Sequence, residues 1–170
     1  MTMNSKRLLS SLISFSKFSS NSEADAFKIG DILRQTRVFT NADVVEYSKV
    51  SYDSNPLHFD TQCAQNAGFP DRIVHGMLVA SLFPRIISSH FPGAVYVSQS
   101  LQFKQPVYIG EEIIGEVQAI NVRELRKKHL VKFSTRCLKD GDILVLDGEA
   151  TAILPTTTIE LQRSKEWQKW

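Results

Sequence analysis

"HGMLVASLFPRIISSHF", His75 to Phe91, is the stretch whose reading decides the fold. Met77, Leu78, Ala80, Ser81, Leu82, Phe83, Ile86 and Ile87 surround nearly its whole circumference at helical spacing. A helix without a polar face is predicted to be buried on every side. Pro84 has no amide hydrogen, so it is predicted to kink this helix or divide it. His90, Phe91, Pro92 and Gly93 end it.

What could wrap such a helix lies after it. "AVYVSQSLQFKQPVYIG" alternates like a long strand, interrupted at Gln105-Pro106. "EEIIGEVQAINV", "HLVKFSTRCLK" and "DILVLDGEATAIL" follow, with Val131, Phe133, Thr135 and Cys137 on one face. Asp140-Gly141 is a hairpin signal. Strands joined by short loops are predicted to pair antiparallel. Before the helix, "KIGDILRQTRVF" reads as a turn at Gly30-Asp31 and a strand through Phe39. Thr40, with Asp43 three residues on, can cap a helix through "NADVVEYSKVS", whose buried side would hold Val44, Val45, Tyr47 and Val50. "TQCAQNAGF" reads as a short helix closed by Gly68. An α+β domain follows: one apolar helix against about five antiparallel strands.

The chain has 170 residues, 42% hydrophobic and 22% charged, as in one globular domain with short extensions. A net charge of +2 is too weak to indicate nucleic acid, and no apolar run is long enough for a membrane span. Cys63 and Cys137 have no CxxC spacing and read as free thiols in or near the core; the four histidines show no zinc-ligand spacing. Residues 1–22 differ in kind: eight serines, Lys6, Arg7 and Lys17, and no acid. Leu8, Leu9, Leu12, Ile13 and Phe15 gather on one helical side. This is the composition of a mitochondrial or plastid transit peptide, with the mitochondrion expected because the segment is short and amphipathic; a serine-rich tail is the alternative. Its removal would leave 17 Lys and Arg against 18 Asp and Glu. The domain is then expected over 23–155, with a polar tail at 156–170.

Two short segments carry candidate chemistry. In "YDSNPLHFD", Tyr52 to Asp60, fully extended chain would hold Asp53 and His58 about 17 Å apart. Pro56 fixes its own φ and biases Asn55, while Ser54 and Asn55 favour turns. A turn can bring carboxyl and imidazole, the commonest proton-transfer groups, to one volume. By spacing alone, a capped loop with a structural aspartate and a surface histidine is the better reading, because the pattern is too short to carry chemistry by itself. In "RIVHGML", Gly76 stands at the start of the apolar helix, where amides lack intrahelical partners. Without a side chain, its amide is open to a carbonyl oxygen that gains charge; close packing at the helix start is the alternative.

Taken together, "YSKVSYDSNPLHFD", "AGFPDRIVHGMLVASLF" and "VYVSQSLQFKQPVYIGEEI" resemble the MaoC-like family of (R)-specific enoyl hydratases and 3-hydroxyacyl-thioester dehydratases, from about Val38 to Leu154. The resemblance implies the hot-dog fold, a long central helix wrapped by a curved antiparallel sheet, paired into a homodimer. It implies syn addition of water to a trans-2-enoyl thioester, or the reverse elimination, with no metal and no other cofactor. Asp53 and His58 match the catalytic pair, Asn55 a residue that holds the site's hydrogen bonds about the substrate, and Gly76 the amide donor to the thioester carbonyl. His75 is expected to be structural, through hydrogen bonds at the helix start. Pro84 stands where some relatives carry a small polar residue, so the acyl tunnel is open to a different shape.

Combined with the N-terminal segment, the resemblance points to a dehydratase of fatty-acid synthesis in the mitochondrial matrix, acting on acyl-carrier-protein thioesters. An (R)-specific enoyl-CoA hydratase is the alternative. A hot-dog thioesterase and a catalytically silent acyl-binding subunit fit less well, because neither needs the Asp53–His58 pair. "RELRKK", Arg123 to Lys128, reads as a basic hairpin: either a solvated loop or a docking surface for an acidic carrier or CoA phosphates.

Overall fold

The structure is a computed structural model that describes residues 27–126 and 128–155. The expected targeting segment at 1–22 and the tail at 156–170 lie outside the described residues. Ten elements follow in order. Strand β1 (Ile32–Val38) leads into helix α1 (Asn41–Ser51). A single 3-10 turn (Pro56–His58) and α2 (Thr61–Asn66) precede α3 (Gly76–Ala80) and α4 (Leu82–His90). Strands β2 (Val95–Phe103), β3 (Glu112–Leu125), β4 (Lys128–Lys139) and β5 (Ile143–Pro155) complete the domain.

The local signals act as expected. The Thr40 hydroxyl accepts from the Asp43 amide at 3.2 Å while the Asp43 carboxylate accepts from the Thr40 amide at 2.8 Å. This reciprocal cap satisfies two amides at the start of α1. Asp60 caps α2 by accepting from the Cys63 amide, and Gly68 ends it at φ +91°, in the left-handed region open to glycine. Asp140 and Gly141 both take positive φ in the β4–β5 hairpin.

The central helix is divided. The break falls at Ser81, three residues before Pro84. Pro84 cannot donate to the Ala80 carbonyl, so the i to i−4 ladder is interrupted one turn earlier. The expectation of burial all round is corrected: Leu82, Phe83, Ile86 and Ile87 are buried, whereas Met77, Ser81, Pro84 and Arg85 are exposed. Ser81, Pro84 and Arg85, at i, i+3 and i+4, share one side of the helix and form its solvent face. Two further expectations fail. Val50 is 81% exposed, because six residues beyond Val44 it points away from the buried stripe. Cys63 is exposed on α2, while Cys137 is buried in β4.

The five strands form one antiparallel sheet in the order β1-β3-β4-β5-β2. β3, β4 and β5 are successive hairpins. β2 does not pair with its successor β3 but crosses to the far side of β5. Val131, Phe133, Thr135 and Cys137 share the buried face of β4. α4 lies across β3: a Cβ on Gly115 would stand 3.1 Å from Ile86 Cδ1 and 3.3 Å from Leu82 Cβ. Glycine there lets helix and sheet approach closely. The connection from β2 to β3 is clamped by buried Lys139, which donates to the Pro106 carbonyl at 2.9 Å and to both Glu111 carboxylate oxygens at 3.0 Å. Val107 in that connection accepts from the Val74 amide, which ties it to the segment leading into α3.

Candidate active site

The loop after α1 turns as Asn55 and Pro56 predict. Tyr52 ends α1 at φ 60°, and the Asn55 side-chain oxygen accepts from the Leu57 amide at 3.2 Å. The 3-10 turn reverses the chain. It brings His58 Nε2 to 3.9 Å from Asp53 Oδ2. Asp53 is half exposed, and His58 is only 7% exposed. His58 Nδ1 lies 2.7 Å from the Ile73 carbonyl oxygen. A carbonyl only accepts, so Nδ1 carries the proton and the Nε2 lone pair of the neutral ring faces the Asp53 carboxyl group.

A third group, assigned by the sequence to bonds at the helix start, joins them. His75, 2% exposed, makes no capping bond to α3. Its Nε2–H donates to the Asp53 carbonyl at 3.2 Å, and its ring stacks on that of His58 with centroids 3.7 Å apart. Its Nε2 also stands 4.0 Å from Asp53 Oδ2. Burial pushes the His75 pKa down, and the neighbouring His58 adds to this; the bond to the Asp53 carbonyl and the Asp53 charge oppose it. Tyr47 packs against the His75 ring at 5.0 Å. No local pattern signals the His58–His75 stack, because the two rings lie 17 positions apart in the chain.

Asp53, His75 and Gly76 open onto a cavity of about 500 Å³. Its apolar walls include Phe69, Val79, Val107 and Leu146. The amides of Gly76 and Met77 begin α3 and have no acceptor within it. The space above Gly76 is occupied by a ring: a Cβ there would stand 2.6 Å from Phe103 Cε1. Of the predicted site residues Asp53 and Gly76 line the cavity, whereas His58 and Asn55 do not: His58 reaches it only beside Asp53 and His75, and the Asn55 oxygen caps the loop that carries His58. Pro84 is also outside it, on the exposed side of α4. Leu82 and Phe83 are core residues. The basic hairpin sits at the opposite end of β4 from Lys139, which bonds the cavity-lining Pro106, about 36 Å along the strand at ~3.3 Å per residue. Within one protomer this favours a solvated loop.

Asp53, His58 and His75 also each offer one ligand-type atom, all within 4.8 Å of one another. The Nε2 of His75 has its proton directed at the Asp53 carbonyl, so in this tautomer it has no lone pair for an ion.

A pair of proton-transfer groups, two free amides and an apolar cavity suit chemistry next to a carbonyl on an aliphatic chain. Residues 27–139 match the MaoC-like domain. The chain belongs to the MaoC-like family. This MaoC-like chain is 58% identical over 155 residues to the tomato (Solanum lycopersicum) protein named 3-hydroxyacyl-(acyl-carrier-protein) dehydratase FERN, mitochondrial, covering 91% of this chain and 93% of that one. It is 58% identical over 154 residues to the Arabidopsis thaliana mitochondrial protein of the same dehydratase name, covering 90% and 92%. A solved structure of the (R)-hydratase of A. caviae involved in PHA biosynthesis superposes with a TM-score of 0.71 at 36% identity, over 78% of this chain and all of that one. These MaoC-like relatives are named as dehydratases and hydratases, which are hydro-lyases. The hot-dog fold expected from the motifs is the one observed.

Proposed function

We propose that the protein is a (3R)-hydroxyacyl-acyl-carrier-protein dehydratase of mitochondrial fatty-acid synthesis, with Asp53 and His58 as its catalytic pair and the Gly76 amide as donor to the thioester oxygen. The observation that carries this reading is the 3.9 Å approach of the two side chains beside a cavity that Asp53 and Gly76 line. The mitochondrial dehydratase names of relatives at 58% identity support the pathway and carrier.

In dehydration the pair shares one proton. His58 Nε2 takes the C2 proton, the C2–H electron pair becomes the C2–C3 double bond, and the C3–O bond breaks. The departing hydroxyl leaves as water with the proton of the Asp53 carboxyl. Charge that builds on the thioester oxygen is met by the Gly76 amide. His58 is then cationic and Asp53 anionic; closing their 3.9 Å separation to hydrogen-bond distance lets the proton return directly. Hydration runs the same steps backwards. Asn55 contributes by holding the loop.

The test is direct. The full chain, and the chain lacking residues 1–22, should consume crotonyl thioesters of carrier protein and CoA, followed as loss of enoyl absorbance. Activity on neither would overturn the reading. The A. caviae hydratase favours a second reading, an (R)-specific enoyl-CoA hydratase, and a hundredfold preference for CoA would select it.

Residues 1–22 are proposed as the presequence for the matrix; fused to a fluorescent protein, they should direct it into isolated mitochondria with cleavage, and retention outside would refute this. A homodimer is proposed on β2. It ends the strand order and, among the described residues, pairs on one side only, with Val95, Val97 and Phe103 exposed. Such an edge invites a partner strand. Light scattering should give about twice the mass of one chain; a monomer would rule this out.

A further inference from the structure

We propose that His75 is a positioning residue for the Asp53–His58 pair, holding the Asp53 main chain with its Nε2–H and the plane of the His58 imidazole with its ring face. The inference rests on the catalytic assignment above and adds a member that the motif assigns no such task.

Three observations converge. First, the bond from His75 reaches the Asp53 carbonyl, not its carboxyl group, so it fixes the backbone from which the carboxyl hangs. Asp53 sits directly after Tyr52, whose left-handed φ of 60° leaves this loop without a regular backbone ladder. Second, the 3.7 Å stack at 27° restricts rotation of the His58 ring, and the Ile73 carbonyl holds its Nδ1 edge. Between them, ring face and Nδ1 bond leave His58 one orientation, with Nε2 toward Asp53. Third, His75 is itself held: Tyr47 packs on it at 5.0 Å and Phe59 meets it edge-on at 6.1 Å. A buried ring with one bond spent on a distant loop and no capping bond to its own helix is placed for that loop.

Neutrality belongs to this role. The groups that face His75 are Asp53 from the loop, His58 from the 3-10 turn and Tyr47 from α1. A charged His75 stacked on His58 would resist the proton that His58 must accept. Its Nδ1 is buried without a hydrogen-bond partner among the described residues, so protonation there would leave a cation unsolvated. Burial, the largest influence on it, pushes its pKa down and so favours the neutral ring.

The test uses the full chain with crotonyl thioester and three variants. His75→Ala, which loses both contacts, should lower kcat about 30-fold or more while KM changes less than about threefold. By admitting water to the His58 face it should also move the acid limb of the kcat/KM profile to higher pH. His75→Gln retains an N–H for the Asp53 carbonyl and should recover kcat to within about fivefold of the parent. His75→Phe retains the ring and should leave the acid limb in place while kcat stays low. Parent-like kcat and pH profile in all three variants would make His75 a mere core filler and overturn the proposal. Loss in His75→Gln as deep as in a His58 variant would also overturn it, by making His75 a proton carrier. A readout free of activity separates this from failure of the functional reading. Nitrogen NMR of labelled histidines should show His75 protonated on Nε2 and His58 on Nδ1, with the His58 signals changed in His75→Ala. The opposite tautomers would sink the positioning role even in an active dehydratase. These tautomers in a chain inactive on every enoyl thioester would sink the dehydratase assignment alone.

Discussion

His58→Asn and Asp53→Asn should each lower turnover on crotonyl thioesters by about 10²-fold or more, with the melting temperature within a few degrees of the parent. General acid–base groups contribute about 10² to 10⁴ in rate. Both substitutions are chosen to spare the loop. His58 Nδ1 donates to the Ile73 carbonyl, and an asparagine amide can still do so; alanine would leave that buried carbonyl unpaired. Asp53 holds the loop through two acceptors, Oδ1 to the Asn55 amide and its own carbonyl to His75. Asparagine keeps both while removing the carboxyl proton. The two losses should not add, because each group's proton transfer needs the other. Near-parental rates in either variant, with folding intact, would remove that residue from the mechanism.

Gly148→Ala should unfold the domain more readily than any change at the site. Gly148 lies in β5 opposite Leu101 of β2. A Cβ there would fall on the Ser100 carbonyl, 2.7 Å from its carbon and 3.3 Å from Gln99 Nε2. Backbone cannot rotate aside as a side-chain tip can. β2 would have to withdraw, losing the Tyr96–Gln99–Thr135 hydrogen bonds that tie it across β5 to β4. Overpacking costs about 1–3 kcal/mol, and a main-chain collision belongs at the upper end. A fall in melting temperature of about 10 °C is expected. Activity should fall with it, because Phe103, Lys104, Gln105 and Pro106 carry one wall of the cavity onward from β2. An unchanged melting curve would show that β2 does not pass Gly148 so closely.

The difference between these two sites is also a difference in legibility. That Asp53 and His58 could meet was legible because proline and asparagine bend a short loop through rules that act over five residues; the roles proposed for them came from the family resemblance. Gly148 carried no signal, because its need arises from a strand some fifty positions away.

The same division runs through the molecule. Local chemistry alone determined the Thr40–Asp43 cap, the Asn55–Pro56 turn, the Gly68 and Asp140-Gly141 reversals and the one-sided burial of β4, since each depends on backbone groups within a few residues. The family was legible by resemblance, because each of its two motifs is an unbroken run of the chain. Only the tertiary structure decided that β2 joins β5 and not β3, that Pro84 and Arg85 face outward, that Phe103 lies over Gly76 and that His75 stacks on His58. Those outcomes come from packing between segments far apart in sequence, and such packing depends on the shapes of both surfaces, which neither segment encodes by itself.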